Sequence, residues 1–327
     1  MKTGKLNHED LKRLVLDRLP EPGNTVTSGP AVGLDCAAMR FGDGQVLLSS
    51  DPITGAASDV GRLAVHISCN DIASCGIRPS ALLIVIVAPV HATPEDIQLV
   101  IDQASSTARK LSVSIIGGHT EISPAVNRFV VTTTGIGFTY GGHIIQASGA
   151  QPGDTLLMTK TAGLEGTAIL AADMGKRLEG ELTEQELRTA RTLIDQISIV
   201  EEGTRGGNMS AHAMHDATEG GVLGACWEMA EASGVGCQID PTKIPVHPVT
   251  KKICRVLALD PLRLIASGCL LIATDQPDAA IANLAEKEIR CTAIGTFTES
   301  KEKVLSLNGE SVEMSPPEGD ELYKVID

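Results

Sequence analysis

Apolar residues recur at helical spacing over residues 6–19 (Leu11, Leu14, Val15), and Pro20 and Pro22 end that segment. Residues 45–50 read as a strand, and residues 59–74 as a helix closed by Gly76 and Pro79. The run 81–87 is continuously apolar and rich in Val and Ile, so it predicts a strand buried on both faces. Thr93 as N-cap and Pro94 at the first helical position start a helix that runs to about residue 111. Segments 113–116 and 129–138 complete the strands of the first half. A turn signal over 149–154 separates the halves.

The second half begins with a strand at 155–160 and a helix at 167–174. A capping box, Thr183 with Glu186, then opens a charged helical stretch over 183–200. A polar loop at 216–221 precedes an amphipathic helix at 222–232. Strand 270–274, helix 278–288 and strand 291–297 close the pattern. Alternating elements in both halves predict an α/β or interleaved α+β protein with two domains, 1–150 and 151–327. Residues 134–138 and 293–297 echo each other faintly, each expected as the last strand of its half.

Composition narrows the function. Hydrophobic residues are 43% and charged residues 21%, which is globular rather than disordered. Aromatics are only 2%, too few for base-stacking platforms, and the net charge of −14 comes without a basic tract. Nucleic acid and membrane surfaces are therefore poor partners. Nucleotides stay open, because Mg²⁺ can bridge carboxylates to phosphates. Eight cysteines without a C-x-x-C read as reduced, buried small hydrophobes, and no leader pattern or membrane-length apolar run appears, so a cytoplasmic protein is expected.

No Walker A or dinucleotide-binding glycine motif is present. Carboxylates at element boundaries carry more information. Asp71 shares a helix stripe with Ala64 and Ile67, where a carboxylate is costly unless it is paired or bound to metal. Asn70 beside it offers a second oxygen. Asp51 follows a strand, where α/β proteins often bind ligands, yet it precedes Pro52 and is equally a turn residue. Asp35 interrupts an apolar segment after a Gly-rich loop. Gly117-Gly118-His119-Thr120-Glu121 reads either as a phosphate-approaching glycine loop or as a hairpin-like turn. Asp216-Ala217-Thr218-Glu219-Gly220-Gly221 opens a helix, which favours anions or is simply capped. His212 and His215 lack a third ligand and make a poor zinc site.

These segments, with Ser49-Ser50-Asp51-Pro52 and Asn70-Asp71-Ile72-Ala73-Ser74-Cys75-Gly76, resemble the aminoimidazole ribonucleotide synthetase (PurM-like) superfamily in the same order over residues 30–300. Within it the chain is most similar to HypE-like and AIR synthase-related proteins. The resemblance implies a two-domain PurM-like fold, with dimer-forming strands in the N-terminal domain. It also implies a homodimer with an ATP cleft completed by both chains. Carried over residue by residue, it assigns Mg²⁺ to Asp35, Asp51, Asp71 and Glu121. ATP falls to Asn70, Gly117, Gly118, His119, Thr120, Asp216, Thr218, Gly220 and Gly221. HypE proteins end in a reactive cysteine, whereas the last cysteine here is Cys291, so a HypE reaction on its own terminus is not expected. The implied chemistry is γ-phosphoryl transfer to a small acceptor. A thiamine-monophosphate kinase-like enzyme and a non-catalytic ATP-binding maturation partner are the alternatives.

Overall fold

The computed structural model describes residues 5–141, 144–209, 211–307 and 309–326. The leader reading rests partly on residues 1–4, which lie outside the described residues. The first sheet contains β1 (Val26–Ser28), β2 (Ala37–Phe41), β3 (Gly44–Ile53), β4 (Pro79–Ala88), β5 (Ser114–Ile122) and β6 (Val130–Thr139). Their order is β1-β2-β3-β6-β4-β5, antiparallel except for the β4–β5 pair, whose crossover is the helix Pro94–Leu111. The helix Val60–Ser74 packs on the same face, because Thr133 of β6 donates to Ala64 O at 2.6 Å and meets Ser68 Oγ at 2.6 Å. That helix is buried at every position but Arg62, wedged between sheet and neighbouring helices.

The second sheet is built from β7 (Thr155–Thr159), β8 (Ala213–Asp216), β9 (Gly236–Ile239), β10 (Leu270–Thr274), β11 (Cys291–Thr298), β12 (Lys303–Leu307) and β13 (Glu310–Glu313). The order is β13-β12-β9-β11-β7-β10-β8, with β12 and β9 the parallel pair. Residues 134–138 and 293–297 fall on β6 and β11, which are interior strands of their sheets. Since β12 and β13 follow, β11 is not the last strand of its half. The stretch 183–200 breaks into the helix Glu184–Thr192, a 3-10 turn and the helix Val200–Asn208. Leu193 and Ile194 turn into the core there, so exposed helical periodicity could not continue.

The main core spans both sheets and takes in most of the helix Val60–Ser74, and a smaller cluster of Cys36, Ala38, Leu47, Ile72 and Cys75 stands apart from it. The architecture is thus a two-domain mixture of helices and mostly antiparallel sheets. The expectation for β4 needs correction: only alternate residues are buried, and Leu83 and Val85 are exposed on the open face of the sheet. Phe138 of β6 is exposed as well. All eight cysteines are free thiols, and seven of them are buried.

Candidate functional site

Four aspartates from separate parts of the chain line one cavity of about 160 Å³: Asp35 before β2, Asp51 within β3, Asp71 on the helix Val60–Ser74, and Asp216 at the end of β8. Thr218 and Lys5 line it too. A strand delivers Asp51 and Asp216 rigidly, while the buried helix fixes Asp71. The Ser49 hydroxyl bridges the pair, donating to Asp71 Oδ2 and lying 3.2 Å from Asp51 Oδ2. Asp35 accepts from Ser74 Oγ at 2.8 Å and faces His215 Nδ1 at 2.7 Å.

The electrostatics are those of a cation site. Burial, with the Asp216 and Asp51 charges, pushes the Asp71 carboxyl well above its ordinary value. Burial and Asp35 raise Asp216 to about 7, although His215 and Lys5 pull the other way. Asp216 Oδ2 is buried with no hydrogen-bond partner, a state that costs about 1–3 kcal/mol per group. Burial works against the His215 imidazolium, but Asp35 at 2.7 Å and Glu228 at 2.9 Å outweigh it and hold the ring charged. Burial likewise pulls the Lys5 ammonium down, and the carboxylates of Glu228, Glu219, Asp51 and Asp216 reverse that effect. Lys5 Nζ donates to Thr218 Oγ1 at 3.1 Å, and its backbone N–H to Glu219 Oε2 at 2.8 Å. Hard oxygens, mutual repulsion and an orphaned carboxylate oxygen fit a magnesium ion: Asp35, Asp51, Asp71 and Asp216 would hold it. Asp35, His215 and Asp216 offer ligand atoms within 4.8 Å of one another, but a protonated His215 is a counter-charge rather than a ligand.

Several expected residues lie elsewhere. Gly117, Gly118, His119, Thr120 and Glu121 form no loop; they continue β5 along an exposed sheet edge. Gly118 has φ +153, and a Cβ there would sit 1.7 Å from Ile84 O, so close pairing with β4 explains the glycine. Since β6 and β4 separate β5 from β3, the β5 residue level with Asp51 is Gly118, three strand spacings or about 14 Å away, and Glu121 lies three residues further along the strand. One chain therefore does not gather Glu121 with the aspartates; its Oε2 lies 3.4 Å from His119 Nε2. Asn70 is spent on structure. Its Nδ2 donates to Ile197 O and its Oδ1 accepts from Ile199 N, each at 2.9 Å. The start of the helix Gly221–Ser233 is also satisfied, because Gly220 N–H donates to Asp320 at 2.8 Å and Leu223 N–H to Leu262 O at 3.1 Å. His212 and His215 point to opposite sides of β8, His212 onto Asp154 at 2.8 Å.

Lys5, Glu165 and Ser267 line the cavity without having been expected. Their signals were faint: Glu165 follows Gly163 and Leu164 at a helix start, and Ser267 hides in an apolar stretch. Glu165 is buried, and that burial raises its pKa to about 7.

Residues 33–139 match the family described as AIR synthase related protein, N-terminal domain, and residues 151–308 its C-terminal domain. A putative hydrogenase expression/formation protein of Methanocaldococcus jannaschii is 32% identical over 84% of this chain and 82% of its own length. The HypE–HypF complex aligns with TM-score 0.76 at 21% identity, over 94% of this chain and 99% of that one. ThiL complexed with AMPPCP and TMP aligns with TM-score 0.74 at 19% identity, over 95% and 94%. At those identities the two structures speak for the fold, which is PurM-like. This chain belongs to the AIR synthase-related family.

Proposed function

We propose that this protein is a HypE-like, ATP-dependent enzyme that transfers the γ-phosphoryl group from Mg-ATP to a small acceptor. The observation that carries the reading is the convergence of Asp35, Asp51, Asp71 and Asp216, from both halves of the chain, on one cavity. Residues 1–150 then supply one wall and residues 151–327 the other. A bound magnesium ion would neutralise phosphate charge; the aspartates orient it, and Thr218 and the Lys5 ammonium meet phosphate oxygens. The nucleotide analogue in the ThiL neighbour supports ATP as ligand. Calorimetry is expected to show ATP binding with Mg²⁺ and little heat when EDTA is present. Equal heats in the two conditions would remove the metal from the reading.

A cavity of about 160 Å³ holds only part of a nucleotide, whose pocket normally exceeds about 300 Å³. A second chain is the proposed remainder. Leu83, Val85 and Phe138 leave an apolar face on the first sheet, a shape that a symmetric partner covers. Glu121 and His119, which share the open face with Val85, would then reach the partner's cleft with Gly117, Gly118 and Thr120. Light scattering is expected to give a dimer for the native chain and a monomer for Val85→Asp. A native monomer at micromolar concentration would end this part of the proposal.

A further inference from the structure

The segment that carries Lys5 is fastened differently from the rest of the chain. Asn7 caps the helix His8–Leu14 by accepting from Asp10 N–H. Glu9 and Asp10 lie in its first turn and Lys12 and Arg13 in its last, so local chemistry is enough to shape it. No residue of this helix is buried, and Leu6, Leu11 and Leu14 are only half-covered. Open space flanks it twice. A groove of about 330 Å³ lies between Leu6, Leu11 and residues 31–35, and one of about 880 Å³ between residues 5–10 and the wall of Trp227 and Pro317.

A short series of links to residues 218–228 holds the segment down. Lys5 Nζ donates to Thr218 Oγ1 at 3.1 Å, and Lys5 N–H to Glu219 Oε2 at 2.8 Å. His8 Nε2 meets Glu228 Oε1 at 3.1 Å, and the His8 ring lies 5.1 Å from the Trp227 ring. A short helix with nothing buried, tied by polar contacts at the surface, opens at little cost.

Its position over the cavity gives that opening a consequence. Lys5 is exposed at the rim, yet its side chain lines the cavity with Asp51 and Asp216, whose charges act on the ammonium. Those are two of the four carboxylates that would hold Mg²⁺. A metal ion that enters alone therefore meets a positive charge already seated beside its ligands, and like charges in a partly buried site repel strongly. Nucleotide phosphates change the balance, because they bring negative charge for both cations to share.

We propose that residues 5–14 form a detachable strap, in which Lys5 holds Mg²⁺ off the aspartates until a nucleotide arrives and His8 keeps the strap seated on Trp227. This rests on the Mg-ATP reading above. Mg²⁺ alone must lift the strap to bind. Mg²⁺ with ATP leaves it in place, Lys5 turning from the carboxylates to the phosphates. Metal and nucleotide are then positively coupled, since each relieves the repulsion that the other meets.

Trp227 is the single tryptophan of the chain, so its fluorescence reports the position of the His8 ring. The test titrates the full-length chain, Lys5→Met and Lys5→Arg with Mg²⁺, without and with ATP, by calorimetry and by Trp227 emission. Lys5→Met keeps the length of the side chain and loses its charge. It is expected to bind Mg²⁺ alone about ten-fold tighter than the native chain, with a smaller gain on adding ATP. Lys5→Arg should stay near native. Trp227 emission should shift as Mg²⁺ alone binds the native chain, return when ATP follows, and stay unchanged in Lys5→Met. A native chain that takes Mg²⁺ only with ATP, beside a Lys5→Met that takes it alone, is the same result in its extreme form. Equal affinity of both chains for Mg²⁺ alone, or a native emission that stays constant as Mg²⁺ saturates, would overturn the strap. If Mg-ATP still binds in that case, the broader reading stands. If none of the three chains binds Mg²⁺ even with ATP, both fall.

Discussion

Asp71→Asn should raise the melting temperature of the ligand-free protein and at the same time weaken Mg-ATP binding by about 100-fold or more. The two effects share a cause. Burial and the neighbouring Asp216 and Asp51 charges push the Asp71 carboxyl far above its ordinary value of 3.8. The native state therefore keeps a proton that the unfolded chain has released, and native stability falls as pH climbs above about 4. Asparagine removes this penalty and can still accept from the Ser49 hydroxyl. The gain should grow as pH rises, with each kcal/mol worth about 2–4 °C in a domain of this size. The same change removes a hard oxygen ligand that only a cation repays. Thermal melts at pH 5 and pH 8, with calorimetry on Mg-ATP, measure both. A lower melting temperature, or unchanged nucleotide affinity, would show that Asp71 is a structural acid and not a ligand.

That opposition explains what could be read from residues alone. Asp71 was visible because a carboxylate on an apolar helix violates the rule that surrounds it, and such violations mark function. Asp51 was visible as a carboxylate just after an expected strand, which in fact runs on through it to Ile53, and Asp216 as the start of a polar segment expected to open a helix. The β5 segment misled, because paired glycines usually signal a turn, whereas Gly118 is there to let the β4 backbone come close. Its polar residues belong to a sheet edge exposed on both faces. Lys5, Glu165 and Ser267 could not be found by pattern. They are separated by more than 90 residues from one another, and only the folded chain, with Lys5 held by Thr218 and Glu219, brings them to one cavity. Asn70 was misread for a related reason: adjacency to Asp71 suggested a shared role, but neighbours on a helix point about 100° apart. The two side chains consequently serve different sides of the helix.

Asn70 therefore leads to a different expectation, with an effect as large as that of Asp71 and opposite in sign for stability. Its amide holds the carbonyl of Ile197 and the N–H of Ile199, clasping the second domain to the central helix at a fully buried position. Asn70→Ala leaves two backbone groups unsatisfied, each costing about 1–3 kcal/mol. Close by, Gly203 lets the helix Val200–Asn208 touch the same helix, since a Cβ there would sit 2.1 Å from Ala73 O. Gly203→Leu must drive the two helices apart. Both variants separate the wall holding Asp51 and Asp71 from the wall holding Asp216 and Glu165, so neither should bind Mg-ATP with native affinity. Calorimetric unfolding should shift to lower temperature and resolve into two transitions as the shared core divides. Asn70→Ala with native melting and native affinity would show that the clasp is incidental, and that the cavity forms without the docking ascribed to it.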